Sequence, residues 1–583
     1  MLAIVLISAA VLLVAYFTYG SLLSRLLGLR ADAPVPAVEL RDDVDYVPLE
    51  PAPLLNQHFS AIAAAGPIVG PIIAGAMFGW LPALVWILIG AVFVGGVHDL
   101  TALVASVRHR GRSVAEVLRE HMSRRSFVLF LIFMWFALVY VVVAFTDITA
   151  AAFLGTQTLP DGTTVSGGGI ATSSMMYLLL PVAMGLLVRY AGLSMGKATL
   201  LFLPLVGLAI WGGQYLPFDL TSIVQRISPD LSPDDANNVA HKSWDVALLI
   251  YCCIASAVPM WLLLQPRGQL GGCFLYAALF GGAAGLLIGG EPIRLPAFTG
   301  WEAPSGAALF PILFITIACG ACSGFHALVA SGTTSKQLRK ETDARAIGYG
   351  AMLLEGMVAV VALCCVMMAD GDLMKQSPSI IYANGIGTFL EQSFGIPLAL
   401  GIAFALMAFT TFVYDTLDVC TRLGRYIIQE LTGWQDAKGR WLGTILTAGA
   451  PLLFVMQTTL DASGKPIPAW KTFWPLFGAS NQLLAALTLL CVTVWLWRTQ
   501  RARWVWFVTG LPMVWMYAMS TWALVEMTLA SFRTGGLANA VAWISLLLVT
   551  LAAVMLVEAA LAIFRIDIEP REPQRAEPAT ATA

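Results

Sequence analysis

Four ionisable side chains lie in the middle of long apolar runs, where only a partner or a function can account for them. They are Glu355, Asp415, Asp418 and His326. A charged side chain at the centre of a bilayer costs roughly 2.5–3.5 kcal/mol on insertion scales. A carboxylate at such a position can carry a proton or bind a cation, and histidine exchanges a proton near neutral pH. These residues therefore point to proton or cation chemistry inside a membrane.

Plainer structural interpretations of the same residues stay open. Asp418 can form an ion pair with Arg422 or Arg425 at the end of its apolar run. Glu355 can bond to the backbone of a small-residue neighbour, and His326 can be a structural hydrogen-bonding residue. Further polar residues inside apolar runs are His98, Asp99 and Asp147.

The elements that must position these groups are membrane helices. Of the 583 residues, 58% are hydrophobic and 12% are charged, and the mean hydropathy is +0.79. A soluble protein averages roughly 25% charged residues. Because a membrane helix needs about 20 apolar residues, we predict an all-α, polytopic protein surrounded by the lipid bilayer, with about fifteen spans. These are residues 2–22, 57–78, 82–107, 126–155, 172–189, 197–213, 244–264, 271–289, 306–331, 345–369, 395–421, 441–457, 471–496, 504–525 and 537–563.

The basic residues of the loops predict the orientation. With these spans alternating, 26 of the 33 Lys and Arg residues fall on one face, which should be cytoplasmic. The N-terminus is then periplasmic and the C-terminus cytoplasmic. Residues 1–30 lack a basic leader and a clear cleavage site, so they predict a retained extra helix rather than a signal peptide. Residues 564–583, rich in Pro, Glu and Ala, predict a disordered cytoplasmic tail.

Two of the predicted spans are interrupted. The second contains Gly66-Pro67 and Gly70-Pro71, and the ninth has a small, polar, glycine-rich centre over residues 319–326. Irregular backbone is tolerated in a membrane only where it is buried in protein or lines a wet cavity. A pair of interrupted spans in corresponding halves indicates the binding site of a transporter. The alternative is that these glycines only permit close helix packing.

The two interrupted spans also begin two sets of five spans. The first set covers residues 56–213 and the second covers residues 306–497, with two inserted helices over residues 244–289 and two C-terminal helices over residues 504–563. The second and ninth spans run in opposite directions in the predicted topology. An inverted-topology repeat requires this arrangement.

Several long segments resemble the carbon starvation protein A family. They are HFSAIAAAGPIVGP at residues 58–71, YCCIASAVPMWLLLQPRG at 251–268, CGACSGFHALVASGTTSKQL at 319–338, DTLDVCTRLGRY at 415–426 and WPLFGASNQLLAALTL at 474–489. The resemblance runs from about residue 45 to about residue 500. It implies a leucine-transporter-like core of five plus five helices in a bacterial inner membrane. It also implies import of a peptide or a pyruvate-like carboxylate during carbon starvation.

In the superfamily to which that family belongs, a cation site often lies between the first interrupted helix and the eighth core helix. Here these are the second and eleventh spans. The resemblance therefore implies that Thr410, Thr411 and Asp415 couple H⁺ or Na⁺ to transport, and Asp418 matches the family pattern as well. Glu355 is a further candidate for the coupling ion. No other cofactor is expected.

The predicted substrate site combines both interruptions. Its candidate residues are Gly66, Pro67, Ile68, Gly70, Gly320, Ser323, Gly324 and His326. His58, at the cytoplasmic start of the second span, is a candidate for a gate or a cap. Asn481 and Gln482 either line the cavity and take part in gating or bridge two helices.

Other classes of protein fit the sequence less well. Cys319 and Cys322 have metal-like spacing, but no second pair or ligand cluster accompanies them, so no metal site is predicted. An enzyme is not expected, because no Walker A, H-E-x-x-H or paired cysteine motif is present. A channel or a sensor that works with a signalling partner remains the alternative to a transporter.

Overall fold

The computed structural model describes residues 1–159, 162–288, 291–460, 466–535 and 540–564. The predicted tail, apart from residue 564, lies outside the described residues. The α-helices are α1 Leu2–Phe17, α2 Tyr19–Leu26, α3 Pro36–Glu39, α4 Pro51–Ile62, α5 Gly66–Phe78, α6 Trp80–Gly90, α7 Gly96–Arg108, α8 Val114–His121, α9 Arg124–Ala152, α10 Gly167–Tyr190, α11 Met195–Gly213, α12 Leu220–Ile227, α13 Pro233–Ala257, α14 Leu264–Ile288, α15 Leu309–Thr316, α16 Gly324–Val329, α17 Ala351–Met368, α18 Pro378–Phe394, α19 Leu398–Thr432, α20 Ala437–Val455, α21 Ala469–Gln500, α22 Leu511–Gly535 and α23 Ala540–Phe564.

Short helical segments and two small hairpins complete the described chain. The π-helical segments are Ala91–Gly95, Ala330–Thr334, Arg345–Gly350 and Trp506–Gly510, and the 3₁₀ segments are Glu341–Asp343 and Leu373–Lys375. Strand β1 Thr156–Thr158 pairs antiparallel with β2 Thr164–Ser166, and β3 Thr459–Leu460 pairs antiparallel with β4 Pro466–Ile467.

The prediction of an all-α chain with many membrane helices is confirmed. Within the described residues, 11 helices are long and apolar enough to cross a membrane, or 12 if the bent pair α4–α5 is one span. The other predicted spans fall on α13, on α20 and on the interrupted pair α15–α16. The count of about fifteen stays a prediction.

Both predicted interruptions are present. Helix α4 ends at Ile62 and α5 begins at Gly66, with an angle of 44° between them. Helix α15 ends at Thr316 and α16 begins only at Gly324. Pro67 fits the first turn of α5, where a missing N–H costs no intrahelical bond. The first break thus lies at residues 63–65, just before the predicted Gly-Pro segment, and residues 66–71 are helical, with Pro71 inside α5.

The two interrupted spans pack directly against each other. A Cβ on Gly66 would lie 2.3 Å from the sulfur of Cys319, and one on Gly70 would lie 2.5 Å from the carbonyl oxygen of Thr316. Because real Cβ atoms do not approach so closely, glycine is needed at both positions. Long helices enclose this pair, with α14 packed along α4 and α21 packed along α16.

Candidate functional site

A buried group of histidines and carboxylates lies where the second interruption meets two neighbouring helices. His326 on α16 is flanked by Asp99 on α7 and Glu355 on α17, and none of the three side chains is exposed. His326 Nδ1 is 2.8 Å from Asp99 Oδ2, and His326 Nε2 is 3.1 Å from Glu355 Oε2. His98 Nδ1 lies 2.7 Å from the other oxygen of Asp99. We call these four residues the histidine–carboxylate cluster.

The chemistry of the histidine–carboxylate cluster follows from its charges. Both ring nitrogens of His326 face a carboxylate oxygen, so an imidazolium would be stabilised on both sides. The approach of Glu355 to His326 lacks the alignment of a hydrogen bond, and Glu355 Oε1 has no hydrogen-bond partner in the described part of the chain. With His326 charged and His98 neutral, one positive charge faces the two carboxylates. The cluster therefore has the capacity to hold a further proton or cation.

His58 borders this region on α4. Its Nδ1 lies 2.8 Å from the hydroxyl of Thr334, which follows α16. His58 is buried, and its Nε2 has no hydrogen-bond partner among the described residues. The contact ties the first half of one interrupted span to the other span. A role for His58 in gating stays a prediction.

A second buried cluster surrounds Arg267 of α14. Its guanidinium contacts two carboxylates of α19, with Nε 2.5 Å from Asp415 Oδ1 and Nη1 2.5 Å from Asp418 Oδ2. The hydroxyl of Tyr251 donates to Asp418 Oδ2 at 3.0 Å, and the hydroxyl of Ser60 donates to Asp415. Arg267 is fully buried. We call these five residues the arginine cluster.

Arg267 was not recognised from the sequence as a site residue. The predicted topology puts it in a cytoplasmic loop between the seventh and eighth spans, whereas the structure places it in the first turn of α14, in the protein interior. The signal that could have revealed it is the arginine of the segment QPRG, which has no acidic neighbour in the chain but lies between two apolar runs. A buried cation of this kind requires a carboxylate partner.

The structural alternative left open for Asp418, an ion pair with Arg422 or Arg425, is not the pairing that the structure shows. Asp418 pairs with Arg267 instead. Arg422 and Arg425 point to Asp45, whose Oδ1 lies 3.6 Å from each guanidinium. The three residues lie on one face of α19, at i, i+4 and i+7, so they differ in position along the helix axis: Asp418 lies beside α14, and the two arginines lie farther along, beside the segment before α4.

Asp45 lies outside the membrane helices among three cations. Arg422 and Arg425 are within 3.6 Å, the Tyr426 hydroxyl donates to Asp45 at 2.5 Å, and Lys336 stacks over the Tyr426 ring at 3.8 Å. Burial raises the pKa of Asp45, but the positive charges of the three cations outweigh it. The pKa of Asp45 therefore lies below its usual value of 3.8.

The threonines predicted for ion coupling are buried on α19. Thr410 Oγ1 lies 3.1 Å from the hydroxyl of Ser174, and the hydroxyl of Thr411 has no hydrogen-bond partner among the described residues. A third threonine, Thr416, donates at 2.8 Å to the carbonyl of Ala61, at the end of α4. Helix α19 therefore contacts the backbone at the end of α4, beside the first interruption. The cation site is predicted between these two elements, and the role of the threonines in it stays a prediction.

Asn481 and Gln482 of α21 hold the second interruption. Asn481 Oδ1 accepts the N–H of Phe325 at 2.8 Å, and its Nδ2 donates to the Ser323 hydroxyl at 3.0 Å. Gln482 Nε2 donates to the carbonyl of Cys322 at 2.9 Å. Both side chains thus bridge α21 to the start of α16, as the second of the two interpretations expects. They also satisfy an N–H at the start of α16 that the free end of a helix would otherwise offer to an anion.

The structure brings the candidate residues of both interruptions together. All of them are buried: Gly66, Pro67, Ile68, Gly70, Gly320, Ser323, Gly324 and His326. A Cβ on Gly320 would lie 2.7 Å from that of Ala359, and one on Gly324 would lie 2.4 Å from the backbone nitrogen of Ala485. Protein atoms thus fill the space beside these glycines, as the close-packing alternative expects. Their role in substrate binding stays a prediction.

Comparisons with known proteins agree on a family. A family model for "Carbon starvation protein CstA" matches residues 1–381 and 368–523. The chain is 32% identical to the pyruvate/proton symporter BtsT of Escherichia coli, with 89% of this chain and 81% of that protein covered. It is 30% identical to the peptide transporter CstA of Campylobacter jejuni, with 93% and 83% covered, and 31% identical to that of Bacillus subtilis, with 89% of each covered.

Solved structures resemble the chain more remotely. The transporter MhsT in complex with L-phenylalanine has a TM-score of 0.47 and 13% identity, with 89% of this chain and 99% of that one covered. A manganese transporter mutant of Eremococcus coleocola has a TM-score of 0.45 and 15% identity, with 90% and 98% covered.

Proposed function

The chain belongs to the carbon starvation protein CstA family, and we propose that it imports a small organic carboxylate, pyruvate or a short peptide, together with protons. It is a multi-pass protein of the bacterial inner membrane, and the proposal keeps its N-terminus periplasmic and its C-terminus cytoplasmic. The names of the relatives, peptide transporters and a pyruvate/proton symporter, support the class of solute. The observation that carries proton coupling is the buried His326 between two carboxylates at the second interruption.

The histidine–carboxylate cluster suits a proton better than a metal cation. Its imidazole presents Nδ1 to one carboxylate and Nε2 to the other, so a proton can sit on His326 or on Glu355 with little movement of heavy atoms. Loading a proton neutralises the excess carboxylate in a site from which water is excluded. We assign Glu355 as the residue that takes up and releases this proton, with Asp99 holding the imidazole in place.

The arginine cluster argues against sodium at the other predicted position. The guanidinium of Arg267 already occupies the space between α4 and α19 that the predicted cation would use. Three of the four carboxylate oxygens of Asp415 and Asp418 already contact Arg267, Ser60 or Tyr251, so a sodium ion would have to displace these contacts. In the proposal, Asp415 and Asp418 therefore anchor Arg267 rather than bind sodium, and Thr410 and Thr411 line the helix beside them.

Helix α4 is the element that would move during alternating access. Its His58 contacts Thr334 on one side and its Ser60 contacts Asp415 on the other. Residues 63–65 separate it from α5 and provide the hinge. Rocking of α4 about this hinge would open a path between the two interruptions, with the substrate carboxylate meeting the amide groups that they expose.

Two repeats of five helices remain part of the proposal, with one change in membership. Helix α14 packs along α4, the first half of one interrupted span, as α21 packs along α16 in the other. This parallel supports α13 and α14 as the last two helices of the first repeat. The spans at 172–189 and 197–213 would then be the inserted pair, in place of 244–289.

Uptake in proteoliposomes tests the proposal. We expect labelled pyruvate or a labelled dipeptide to accumulate when the outside is acidified, and a sodium gradient to have no such effect. Glu355→Gln should abolish the response to the pH gradient, because an amide cannot take up the proton. Glu526→Gln, on the exposed face of α22, is the matched control and should transport normally. Uptake that is indifferent to both gradients would refute symport.

A further inference from the structure

A third group of ionisable side chains lies apart from both clusters, between the C-terminal end of α9 and the middle of α13. Asp147 is near the C-terminus of α9, and His241 and Asp245 are one turn apart on α13. His241 Nε2 lies 3.3 Å from Asp147 Oδ1. One ligand atom from each of the three residues lies within 4.8 Å of the other two. This spacing is that of side chains arranged around one ion.

Asp245 gives an independent sign that something is bound here. Its side chain is 1% exposed, and neither carboxylate oxygen has a hydrogen-bond partner among the described residues. Asp147 is 3% exposed, and its Oδ2 accepts the N–H of Trp470 at 2.8 Å. A buried carboxylate without partners is costly, so the two oxygens of Asp245 require a proton or a cation.

The neighbouring lysine does not supply that charge directly. The ammonium group of Lys242 donates hydrogen bonds to the carbonyl of Met456 at 2.6 Å and to the hydroxyl of Thr458 at 2.5 Å. Two carboxylates therefore face one imidazole. With a proton on Nε2, His241 donates to the oxygens of Asp147, including the carbonyl at 3.1 Å. With a metal ion, Nε2 exchanges that proton for the ion.

We propose that Asp147, His241 and Asp245 bind a Zn²⁺ ion that fastens the C-terminal end of α9 and the N-terminal end of α21 to the middle of α13. One imidazole and two carboxylates form a donor set that zinc accepts, with a water molecule completing a tetrahedron. The ion joins α9 to α13 directly and reaches α21 through the bond from Trp470 to Asp147. The predicted topology puts these parts of the three helices toward the periplasmic side, so the ion would come from the periplasm. The site is separate from the proposed proton path, and the prediction of no metal would then hold only for the two cysteines.

Metal content of the full-length protein tests this site. The protein is purified in detergent with a tag that lacks histidine, stripped with a chelator, dialysed against Zn²⁺ and measured by mass spectrometry of the metal. Asp245→Asn and His241→Gln should each bind one zinc per chain fewer than the wild type. Asp234→Asn, an exposed position in the first turn of α13, is the matched control and should bind as much as the wild type.

Comparison of variants matters because another potential metal group is present. His109, Glu120 and His121 also bring ligand atoms within 4.8 Å of one another, so zinc bound there would stay unchanged in the α13 variants. Equal zinc content in the wild type and both α13 variants would overturn the proposal, as would a wild type that binds none.

A second measurement uses only the wild type, so it tests the site even if the variants do not fold. Zinc should protect His241 from modification by diethyl pyrocarbonate, as read by peptide mass spectrometry. Modification of His241 at the same rate with and without zinc would also overturn the proposal, and would leave a protonated Asp245 as the explanation of its burial.

Discussion

Replacing Arg267 by methionine should be one of the most destabilising single changes in the membrane core. The substitution keeps most of the side-chain length but leaves Asp415 and Asp418 without their shared cation. Removing one partner of a buried ion pair costs about 3–5 kcal/mol, because a buried charge remains uncompensated. The unfolding equilibrium should therefore shift roughly a hundred- to several-thousand-fold toward the unfolded state.

The charges of the arginine cluster predict an order among related variants. Asp418→Asn leaves one cation and one carboxylate, and the amide oxygen can still accept from Tyr251, so this change should cost less than Arg267→Met. Adding Asp418→Asn to Arg267→Met removes one of two unpaired carboxylates and should restore part of the lost stability. The coupling energy of this pair should be at least about 1 kcal/mol.

Unfolding titrations with dodecyl sulfate in mixed micelles measure these differences. Arg226→Met, at an exposed position of α12, is the matched control and should change the free energy of unfolding by less than about 0.5 kcal/mol. If Arg267→Met lowers the free energy of unfolding by no more than this control, the ion pairs of Arg267 do not stabilise the fold. A double variant that is less stable than Arg267→Met alone would also contradict this role.

Changes at three further positions probe the second interruption and the segment before α4. Asn481→Leu should cost about 1–3 kcal/mol in unfolding titrations, because the buried N–H of Phe325 loses its acceptor, whereas Asn481→Asp keeps an acceptor there and should cost less. Gly324→Ala places a Cβ 2.4 Å from backbone atoms of α21 and should cost about 1–3 kcal/mol; Gly449→Ala, with nothing within 4 Å of its Cβ, should be neutral or stabilising. Asp45 has a folded-state pKa below its unfolded value of 3.8, so its contribution is complete above that pH and is lost as the pH falls through the folded value. As the pH is lowered from about 5 to about 2, the melting temperature should therefore fall more in the wild type than in Asp45→Asn, with the difference appearing below the unfolded pKa.

Local chemistry explains what the sequence predicted correctly. Glycine and proline disfavour a continuous helix, so both broken spans could be found from a few residues, at 66–71 and 319–326, although the first break itself lies at residues 63–65. Hydropathy likewise marked Glu355 and His326 as buried charges that need partners, and the structure pairs them with each other. Such inferences depend on neighbours in the chain or on the cost of burial.

Long-range pairing explains what the sequence could not show. Arg267 and Asp415 are 148 residues apart, and His326 and Asp99 are 227 apart. Nothing in a single apolar run specifies which distant helix supplies the counter-charge. Asp99 was visible as a buried acid, yet its place beside His326 depends on how α7 packs against α16. The nearest arginine in sequence therefore seemed the natural partner of Asp418, although the folded chain supplied one from α14.

The contacts of α4 link the two buried clusters mechanically. His58 and Ser60 are two residues apart, and each is bound to a different helical element, through Thr334 and Asp415 respectively. A displacement of α4 that breaks one of these contacts cannot leave the other intact, because a helix moves as a rigid rod over two residues. Loss of the Ser60 bond changes the hydrogen bonding of Asp415 and so its pairing with Arg267. Loss of the His58 bond opens the side of α16 that carries His326. If the proposed proton binds at the histidine–carboxylate cluster and displaces α4, these contacts would carry the change to the arginine cluster, which is the coupling that the proposed symport requires.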